Sequence, residues 1–556
     1  MPKKLISILL LLSAVTVLAL VVTTGEGQAS LSALYVDEDT WNQLQAARTQ
    51  RLPDGTAQMQ LADALYFNGY KLPYDRLDQV LLYSLVEDDP RANDPLVELI
   101  CYGEKAEIAF FGDAVTEDTV KGSRSIQAMV YTDDEYALYQ LRLTTLPVLE
   151  IIMEESPFTV KDESVTVRMR LFDNRREALN RQLDTSVSIH MRGRNSKMYP
   201  KNDYRISLRS LSLGNNWRNY PVSLLGMRAD EDWILKGMYN DNRKIREVFS
   251  TELWYDSCAR NNVFGIVNGN QYRYVEVFFG NYYWGLYALT HPVDAKQLGI
   301  QSGTGEHLYK KTSAFSELKM DFDRELDAAI DVNDQSDPRV AYTYDGGDRE
   351  HPDYGPLLDY YRTLLHTEPE MREKLYAIAD TDNAIDIFLF LNLIQGIDHL
   401  KTTGGLFNVY LSAKNDAEGV TRMLYTPWDM DRTWGLGFGD VDLMDPATHV
   451  VMNTNPVVQL KELGDQAILD RLAQRYRELR QGAWSEENIA SMLHAYEEKV
   501  FFSGAYERDF QRWYRFMLPP EYIPEYHTDY AGFAAYVNQR LQHLDQFVLD
   551  YTQSGR

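Results

Sequence analysis

The chain has 556 residues, too many for one ordinary domain, and its 44% hydrophobic and 12% aromatic residues are sufficient for two or three cores. A formal net charge of −26 argues against nucleic acid or an anionic membrane surface as the main partner, because phosphate groups would be repelled. The same charge is compatible with an exported, highly soluble protein or with many cation-binding carboxylates. The two cysteines, Cys101 and Cys258, are too few for a metal cluster and are interpreted as small buried hydrophobic residues.

The N-terminus has the pattern of an export signal. Lys3 and Lys4 precede an uncharged apolar run, residues 5–22, and a small-x-small site follows at Gly27-Gln28-Ala29. The run is also about long enough to span a bilayer. Residues 1–29 are therefore predicted to be either a cleaved signal peptide or an uncleaved membrane anchor. Both alternatives predict an exported protein, secreted or held at the outer face of the cell membrane.

Residues 30–146 are predicted to form a β-rich accessory domain. Short segments of strand-forming composition, at 79–86, 106–111 and 125–131, are separated by turn residues. Their regular spacing favours a small β-sandwich. The composition then changes at Pro147, where we place a domain boundary.

Residues 186–209 are predicted to form a hairpin whose turn carries several cations. One strand ends at Arg192, a turn rich in Gly, Asn and Ser follows, and a second strand begins after Lys201. Such a turn can present backbone N–H groups and basic side chains to phosphate groups. One glycine does not make a glycine-rich loop, so the alternative of a solvated basic turn stays open.

After the hairpin, strand-forming segments give way to helical ones near Gly355. Helix 382–396 is strongly apolar, which predicts a buried helix with its N-cap at Thr381-Asp382. The acidic, turn-rich residues 321–354 are predicted to be a surface loop or insertion. A β-rich lobe followed by a helical lobe is the outline of a two-lobed α+β enzyme. The other predicted elements are strand 232–236, helix 242–256, a hairpin at 272–289 turning at Gly280-Asn281, strand 307–311, helices 356–366 and 368–379, strands 407–411 and 422–425, and helices between 457 and 552.

The motif Trp428-Asp429-Met430-Asp431 indicates a cation site. Two carboxylates at positions i and i+2 point the same way if the backbone is extended. Held that close, they repel each other unless a cation lies between them or one is protonated. A divalent cation with oxygen ligands, such as Mg²⁺, is the simplest partner. The flanking tryptophans favour partial burial, where unpaired carboxylates are costly; the alternative is a turn with solvated aspartates.

Several motifs, in a shared order, resemble the CotH family of spore-coat-type atypical protein kinases, which also occur as exported bacterial proteins. The resemblance covers most of the chain after Pro147. It implies a two-lobed protein-kinase-like fold over residues 147–556, with the β-sandwich-like domain in front of it. The motifs are Arg192-Gly193-x-x-Ser196 with Pro200-Lys201, Asp232-Trp233-Ile-Leu, Val275-Glu-Val-Phe with Trp284-Gly-Leu-Tyr287, Asp398 with Asn408-x-Tyr410, and Pro427-Trp428-Asp429-x-Asp431.

The resemblance also implies an activity and the residues that perform it. The activity is Mg²⁺-dependent transfer of the ATP γ-phosphoryl group to Ser or Thr of secreted or surface proteins, with Mn²⁺ as an alternative ion. Asp398 is expected to be the catalytic residue that faces the acceptor hydroxyl. Asp429 is expected to be the principal metal ligand, with Asn408 and Asp431 as further ligands. Ordinary kinases place the metal-binding asparagine about five residues after the catalytic aspartate, whereas here the step runs from position 398 to position 408.

The resemblance assigns the nucleotide phosphates to the basic hairpin. Arg192 and Ser196 are expected to line its phosphate-facing turn, and Lys201 is expected to pair with the phosphates, although Lys310 and Lys311 compete for that role. Glu252, on the predicted helix 242–256, is expected to orient Lys201 as a glutamate does in ordinary kinases. Glu247, earlier on the same helix, is the rival candidate.

Two alternative functions stay open. The first is a catalytically degenerate member that keeps the fold as a binding or assembly protein. The second is a secreted hydrolase that uses paired carboxylates. Glycosidases usually take their two carboxylates from separate segments, several ångströms apart. The adjacent pair Asp429 and Asp431 therefore favours the kinase over the hydrolase.

Overall fold

The computed structural model describes thirteen segments of the chain: 28–53, 58–116, 119–120, 125–154, 160–194, 196–211, 217–313, 315–324, 330–366, 368–400, 406–437, 444–515 and 517–553. The predicted signal peptide or anchor, including the apolar run 5–22, lies outside these segments apart from its last two residues. Within them, no helix combines the length and the apolar character that a bilayer crossing requires.

The chain divides into two compact units, and its secondary structure is mixed α+β. The first unit contains Met1–Ser188, Val275–Leu286 and Lys499–Arg512, and the second contains the rest of the chain. Eleven α-helices occur in the described segments. They are Glu38–Ala46, Arg246–Ser257, Pro338–Ala341, Gly355–Leu365, Met371–Ile378, Thr381–Leu393, Pro456–Glu462, Gln466–Gln481, Glu486–Glu497, Ala505–Phe510 and Ala531–Gln553.

Two sheets that share one hydrophobic core form the N-terminal part of the first unit. In spatial order, the four-stranded sheet consists of Ala29–Ser30, Leu96–Ile100, Ala64–Phe67 and Tyr70–Lys71. The six-stranded sheet consists of Tyr74–Asp75, Val80–Ser84, Glu135–Thr144, Ile126–Tyr131 and Glu107–Phe111, with Thr49–Gln50 beside Glu135–Thr144. Phe67 from one sheet and Phe110 from the other meet edge to face, 6.2 Å between ring centroids, in the buried core. Both pairings of Glu135–Thr144 with Val80–Ser84 and Thr49–Gln50 are parallel, so the unit is not a purely antiparallel sandwich.

The first unit extends past the predicted boundary at Pro147. Strand Val148–Ile152 pairs antiparallel with strand Val165–Phe172 and parallel with residues 276–279. Val148 also packs with Leu82 of the six-stranded sheet in a small apolar cluster. Since both its backbone and its side chains find their partners in this unit, the strand belongs with the residues before it.

The second unit contains two further groups of strands. Strand Asp203–Leu211 pairs antiparallel with Asp232–Lys236, which in turn pairs with the end of Tyr282–Thr290. A separate four-stranded sheet has the order Tyr342–Gly346, His307–Lys311, Val409–Asn415 and Thr421–Pro427. The remaining strands are Trp217–Asn219, Val222–Ser223 and Ala229–Asp230, together with Gln182–Arg192 and Tyr272–Phe279, which like Tyr282–Thr290 are divided between the units.

The acidic stretch 321–354, predicted to be a surface loop or insertion, contains regular secondary structure at residues 338–346. This part of the stretch forms helix Pro338–Ala341 and strand Tyr342–Gly346, which adds to the four-stranded sheet beside His307–Lys311. Tyr342 is fully buried there, and its hydroxyl bonds with that of Tyr361, 2.7 Å away. The many acidic and turn residues of this stretch gave no sequence signal for the short strand, in which Tyr342 and Gly346 are buried.

Helix Thr381–Leu393 is buried along eleven of its thirteen residues, as its apolar sequence predicts. Its N-cap is Asp380, whose carboxylate accepts a hydrogen bond from the Asn383 N–H at 3.1 Å, one residue before the predicted cap. The chain leaves the helix through Gln395, at φ = 51°, and Gly396. This turn carries the chain to Asp398.

Candidate functional site

A polar cavity of about 730 Å³ lies within the second unit. Its walls come from the turn after strand Gln182–Arg192, the end of strand Asp232–Lys236, the start of helix Arg246–Ser257 and the segments around positions 310, 398, 408 and 429. The cavity holds nearly equal numbers of basic and acidic side chains. These are Arg192, Arg194, Lys201, Lys236, Lys310, Lys311 and Arg432, and Asp203, Asp241, Glu247, Asp398, Asp429 and Asp431.

Seven of the eight predicted site residues line this cavity, and Glu252 does not. The seven are Asp398, Arg192, Ser196, Lys201, Asn408, Asp429 and Asp431. Glu252 instead lies 3.7 Å from the guanidinium of Arg273. Its rival Glu247 faces the cavity. Five residues correspond to about 1.4 helical turns, so a helix that directs Glu247 into the cavity directs Glu252 elsewhere.

Asp398 and Asn408 touch each other despite their long separation in sequence. The amide of Asn408 donates a hydrogen bond to Asp398 Oδ2 at 2.8 Å. Leu400 and Leu406 form an antiparallel bridge, and the N–H of Phe407 donates to the carbonyl of His399 at 2.9 Å. Residues 401–405 lie outside the described segments. The bridge holds the residues on either side of this segment together, so the longer spacing in sequence does not separate the Asp398 and Asn408 side chains.

The backbone at Asn408 and Asp429 adopts the left-handed conformation, with φ = 51° and 61°. Residues other than glycine seldom do so, and such conformations persist only where the surroundings enforce them. The Trp428 N–H donates to the Asn408 carbonyl at 3.0 Å, and His399 Nε2 donates to the Trp428 carbonyl at 2.9 Å. These bonds tie the segments that carry Asp398, Asn408 and Asp429 to one another.

A buried asparagine connects the helix that leads to Asp398 with the strand that leads to Asp429. Within helix Thr381–Leu393, Asn383 donates its amide to the Tyr425 carbonyl at 3.1 Å and accepts from the Tyr425 N–H at 2.7 Å. Both groups are fully buried, where an unsatisfied amide would be costly. This pair of bonds fixes the spacing of the two segments. The sequence alone did not identify Asn383, because a polar residue in an apolar helix has no unique partner.

Lys236 is a site residue that the sequence analysis missed. Its ammonium lies 2.7 Å from Asp429 Oδ1 and 3.5 Å from Asp203 Oδ2. Burial opposes the charge on Lys236, but these carboxylates outweigh burial and hold its pKa well above the usual value. Burial likewise opposes ionisation of Asp429, but the ion pair with Lys236 prevails and lowers the pKa of Asp429 to about 2. The sequence did contain one signal for Lys236, which is its place at the end of the apolar run Trp-Ile-Leu, just before a predicted helix.

Asp431 and Glu247 complete an acidic cluster with Asp429. Each of the three offers a carboxylate oxygen, and these oxygens lie within 4.8 Å of one another. Burial and the charge of Asp429 raise the pKa of Asp431 to about 7 and that of Glu247 to about 8. Oxygen donors grouped this closely match the ligand preference of Mg²⁺ or Mn²⁺.

The predicted phosphate-facing residues present their cations over aromatic rings. The Lys201 ammonium lies 4.6 Å from the Tyr287 ring centroid, and the Arg192 guanidinium lies 5.7 Å from that of Trp428. The hydroxyl of Ser196 donates to the Arg192 carbonyl at 3.4 Å, which closes the turn. Gly193, at φ = 98°, belongs to this turn, and a Cβ there would lie 1.8 Å from Ser196 Oγ.

The two competing lysines differ in their surroundings. Lys311 is fully buried and directs its ammonium to Glu317 Oε1 at 2.6 Å and to the Phe315 carbonyl at 2.7 Å. The Lys310 ammonium lies 5.1 Å from the Tyr410 ring centroid, and burial together with the charge of Arg192 lowers its pKa. Lys311 is therefore engaged by the protein itself, which leaves Lys310 as the better competitor of Lys201.

Residues 189–544 match the protein family described as CotH kinase protein. The chain belongs to this family. No curated protein matches it. The family match contains every residue that lines the cavity and covers more than half of the chain. The resemblance predicted from the motifs is thereby confirmed, and a kinase-like protein is the function class that follows from CotH membership.

Proposed function

We propose that the protein is an exported kinase that transfers the γ-phosphoryl group of ATP to Ser or Thr hydroxyls of secreted or surface proteins. Family membership supports a kinase-like protein. The observation that carries the proposal is that Asp398, Asn408 and Asp429 meet in one cavity that also holds Lys201 and Arg192. Phosphoryl transfer requires these parts: an aspartate for the acceptor, metal ligands, and cations for the phosphates.

Each part of the cavity has a role in this proposal. Asp398 accepts the proton of the acceptor hydroxyl as the hydroxyl oxygen bonds to the γ-phosphorus and the bond to the ADP oxygen breaks. Lys201, Arg192 and Ser196 bind the phosphates. Asn408, Asp429 and Asp431 would hold Mg²⁺ or Mn²⁺, which when bound would neutralise phosphate charge. The orphaned, buried Glu247 oxygen and the grouped carboxylates fit such an ion.

The proposal also includes the kinase-like lobes and the route of the protein. The strands around Asp232–Lys236 and helix Arg246–Ser257 would form the β-rich lobe, and the helices from Gly355 onward the helical lobe. Residues 1–29 would direct export, as their sequence predicts. The acceptor proteins would then lie outside the cytoplasm.

Two substitutions test the proposal with γ-labelled ATP and Mg²⁺ or Mn²⁺. Asp429→Asn is expected to abolish metal-dependent nucleotide binding and transfer. Asp398→Asn is expected to keep nucleotide binding but to lower transfer by roughly 10²- to 10⁴-fold, the usual effect of removing an acid–base group. Asp359→Asn, which removes an exposed ion pair with Lys374, serves as the control.

Two results would contradict this assignment. Unchanged ATP binding by Asp429→Asn would refute the metal role. A wild-type protein that binds ATP but transfers no phosphoryl group to itself or to surface proteins would favour a binding or assembly protein.

A further inference from the structure

The buried carboxylate of Glu247 has a single hydrogen-bond partner in the described part of the chain. Glu247 is 2% exposed and is the second residue of helix Arg246–Ser257. Glu247 Oε1 accepts a hydrogen bond from the Tyr272 hydroxyl at 2.6 Å. Glu247 Oε2 is buried and accepts none from any residue in the described segments. Because an ionised oxygen without donors is costly in the interior, this atom requires a cation or a proton.

The position of Glu247 favours a cation over a proton. Its carboxylate lies within 4.8 Å of oxygens from Asp429 and Asp431. We propose that Glu247 is a direct ligand of a divalent cation, which it binds together with Asp429 and Asp431. The inference deepens the proposed function, on which it rests for the identity of the metal-binding aspartates, and it adds a ligand from a different element.

This role differs from the one that the corresponding glutamate has in ordinary kinases. There, a helix glutamate pairs with the lysine that binds the phosphates. Here, Lys236 precedes the helix, but its ammonium is held by Asp429 at 2.7 Å and by Asp203 at 3.5 Å. The ammonium is thus shared between Asp429 and Asp203. Glu247 and Asp431, when ionised, add two negative charges beside it. A divalent cation would neutralise those two charges.

The two roles predict opposite effects of Glu247→Gln. The substitution keeps the side-chain shape and an oxygen that can accept from the Tyr272 hydroxyl. If Glu247 is a metal ligand, the metal-free protein gains stability when this buried, uncompensated carboxyl group is replaced, so its melting temperature rises. If it is an ion-pair partner of a lysine, the same substitution lowers the melting temperature and leaves binding of the metal alone unchanged. Glu252→Gln is the matched control, because Glu252 is on the same helix but outside the cavity.

The test is calorimetric titration of the full chain with Mn²⁺ and with Mg²⁺, without nucleotide. We expect Glu247→Gln to weaken Mn²⁺ binding by at least about tenfold, since even residues that only orient ligands cost about 10- to 100-fold. Glu252→Gln is expected to bind like the wild type. Wild-type affinity in Glu247→Gln, or no metal binding by the wild type, would overturn the inference. A protein that binds Mn²⁺ through Glu247 but transfers no phosphoryl group would support the inference and refute the proposed kinase.

Discussion

Lys236→Met should destabilise the metal-free protein, and Mg²⁺ should reverse much of the loss. The lysine side chain is 9% exposed and holds Asp429 at 2.7 Å and Asp203 at 3.5 Å. At an effective dielectric constant of about 20, these distances correspond to attractions of about 6 and 5 kcal/mol. Replacement by methionine removes the desolvation penalty of the ammonium, several kcal/mol per ion, and so offsets part of the lost attraction. Asp429 is also partly solvated, with 36% of its side chain exposed.

The net loss should therefore fall near the lower end of the range for breaking a buried ion pair, about 3 kcal/mol. If a divalent cation binds at Asp429 as proposed, it competes there with Lys236. In the variant it meets no competitor, so it should bind more tightly. Cation binding at a free cation concentration of about 100 times Kd adds about 2.7 kcal/mol to the free energy of unfolding. Mg²⁺ should thus stabilise Lys236→Met more than it stabilises the wild type.

The assay is urea unfolding followed by tryptophan fluorescence, in EDTA and in Mg²⁺. Lys414→Met is the matched control, because the Lys414 side chain is also buried and lies 3.2 Å from a single carboxylate, Glu306, outside the acidic cluster. The control should lose stability, and Mg²⁺ should affect it no more than the wild type. The reasoning is refuted if Lys236→Met is as stable as the wild type in EDTA, or if Mg²⁺ stabilises both variants equally.

Three further results are expected from the buried charges. Burial, followed by the charge of Arg228, lowers the pKa of His291 to about 4; the unfolded chain then binds more protons, so stability should fall as the pH drops from about 6.5 to 4. Urea unfolding at several pH values measures this effect. The free energy of unfolding of His291→Gln should change by up to about 1.4 kcal/mol per pH unit less than that of the wild type. The pKa of Glu247 is raised to about 8, which has the opposite effect on stability. In EDTA the folded state binds more protons than the unfolded chain, so stability should fall as the pH rises from about 4.5 to 8. Glu247→Gln should flatten this trend. Glu317→Gln should lower the free energy of unfolding by about 3 kcal/mol, because it leaves the Lys311 ammonium buried without its charge partner. Adding Lys311→Met should restore most of that stability. A double variant no more stable than the single variant would contradict this expectation.

Local sequence patterns predicted most secondary-structure elements of the second unit. The strand Asp232–Lys236 has the predicted bounds, and the apolar run after Asp380 forms a buried helix. These elements depend on periodicity and turn residues within a few positions. The parallel pairing of Glu135–Thr144 with Val80–Ser84 was not predictable in this way. Strands so far apart in sequence are paired by tertiary packing, which leaves no local signal.

The candidate site shows the same limit at the level of single residues. Motif order was sufficient to select Asp398, Asn408 and Asp429, because each belongs to a recognisable segment. It could not choose between Glu247 and Glu252, since that choice depends on where helix Arg246–Ser257 begins and which face it buries. The start is fixed by Asp241, whose Oδ2 accepts from the N–H groups of Ile245 and Arg246 at 2.7 and 2.8 Å. A carboxylate outside the predicted helix thus holds the first N–H groups of the helix, and the local sequence did not show which glutamate would face the cavity.

The acidic motif is held in place by contacts within the protein itself. Left-handed residues such as Asn408 and Asp429 cost about 1 to 3 kcal/mol each, and the hydrogen bonds around Trp428 hold both in that conformation. Lys236 meanwhile neutralises Asp429. A cation bound there, as proposed, would displace an ammonium but would not require a change in the backbone that positions its ligands. Preorganisation of this kind is what a phosphoryl-transfer site requires, because its chemistry depends on positioning and electrostatics.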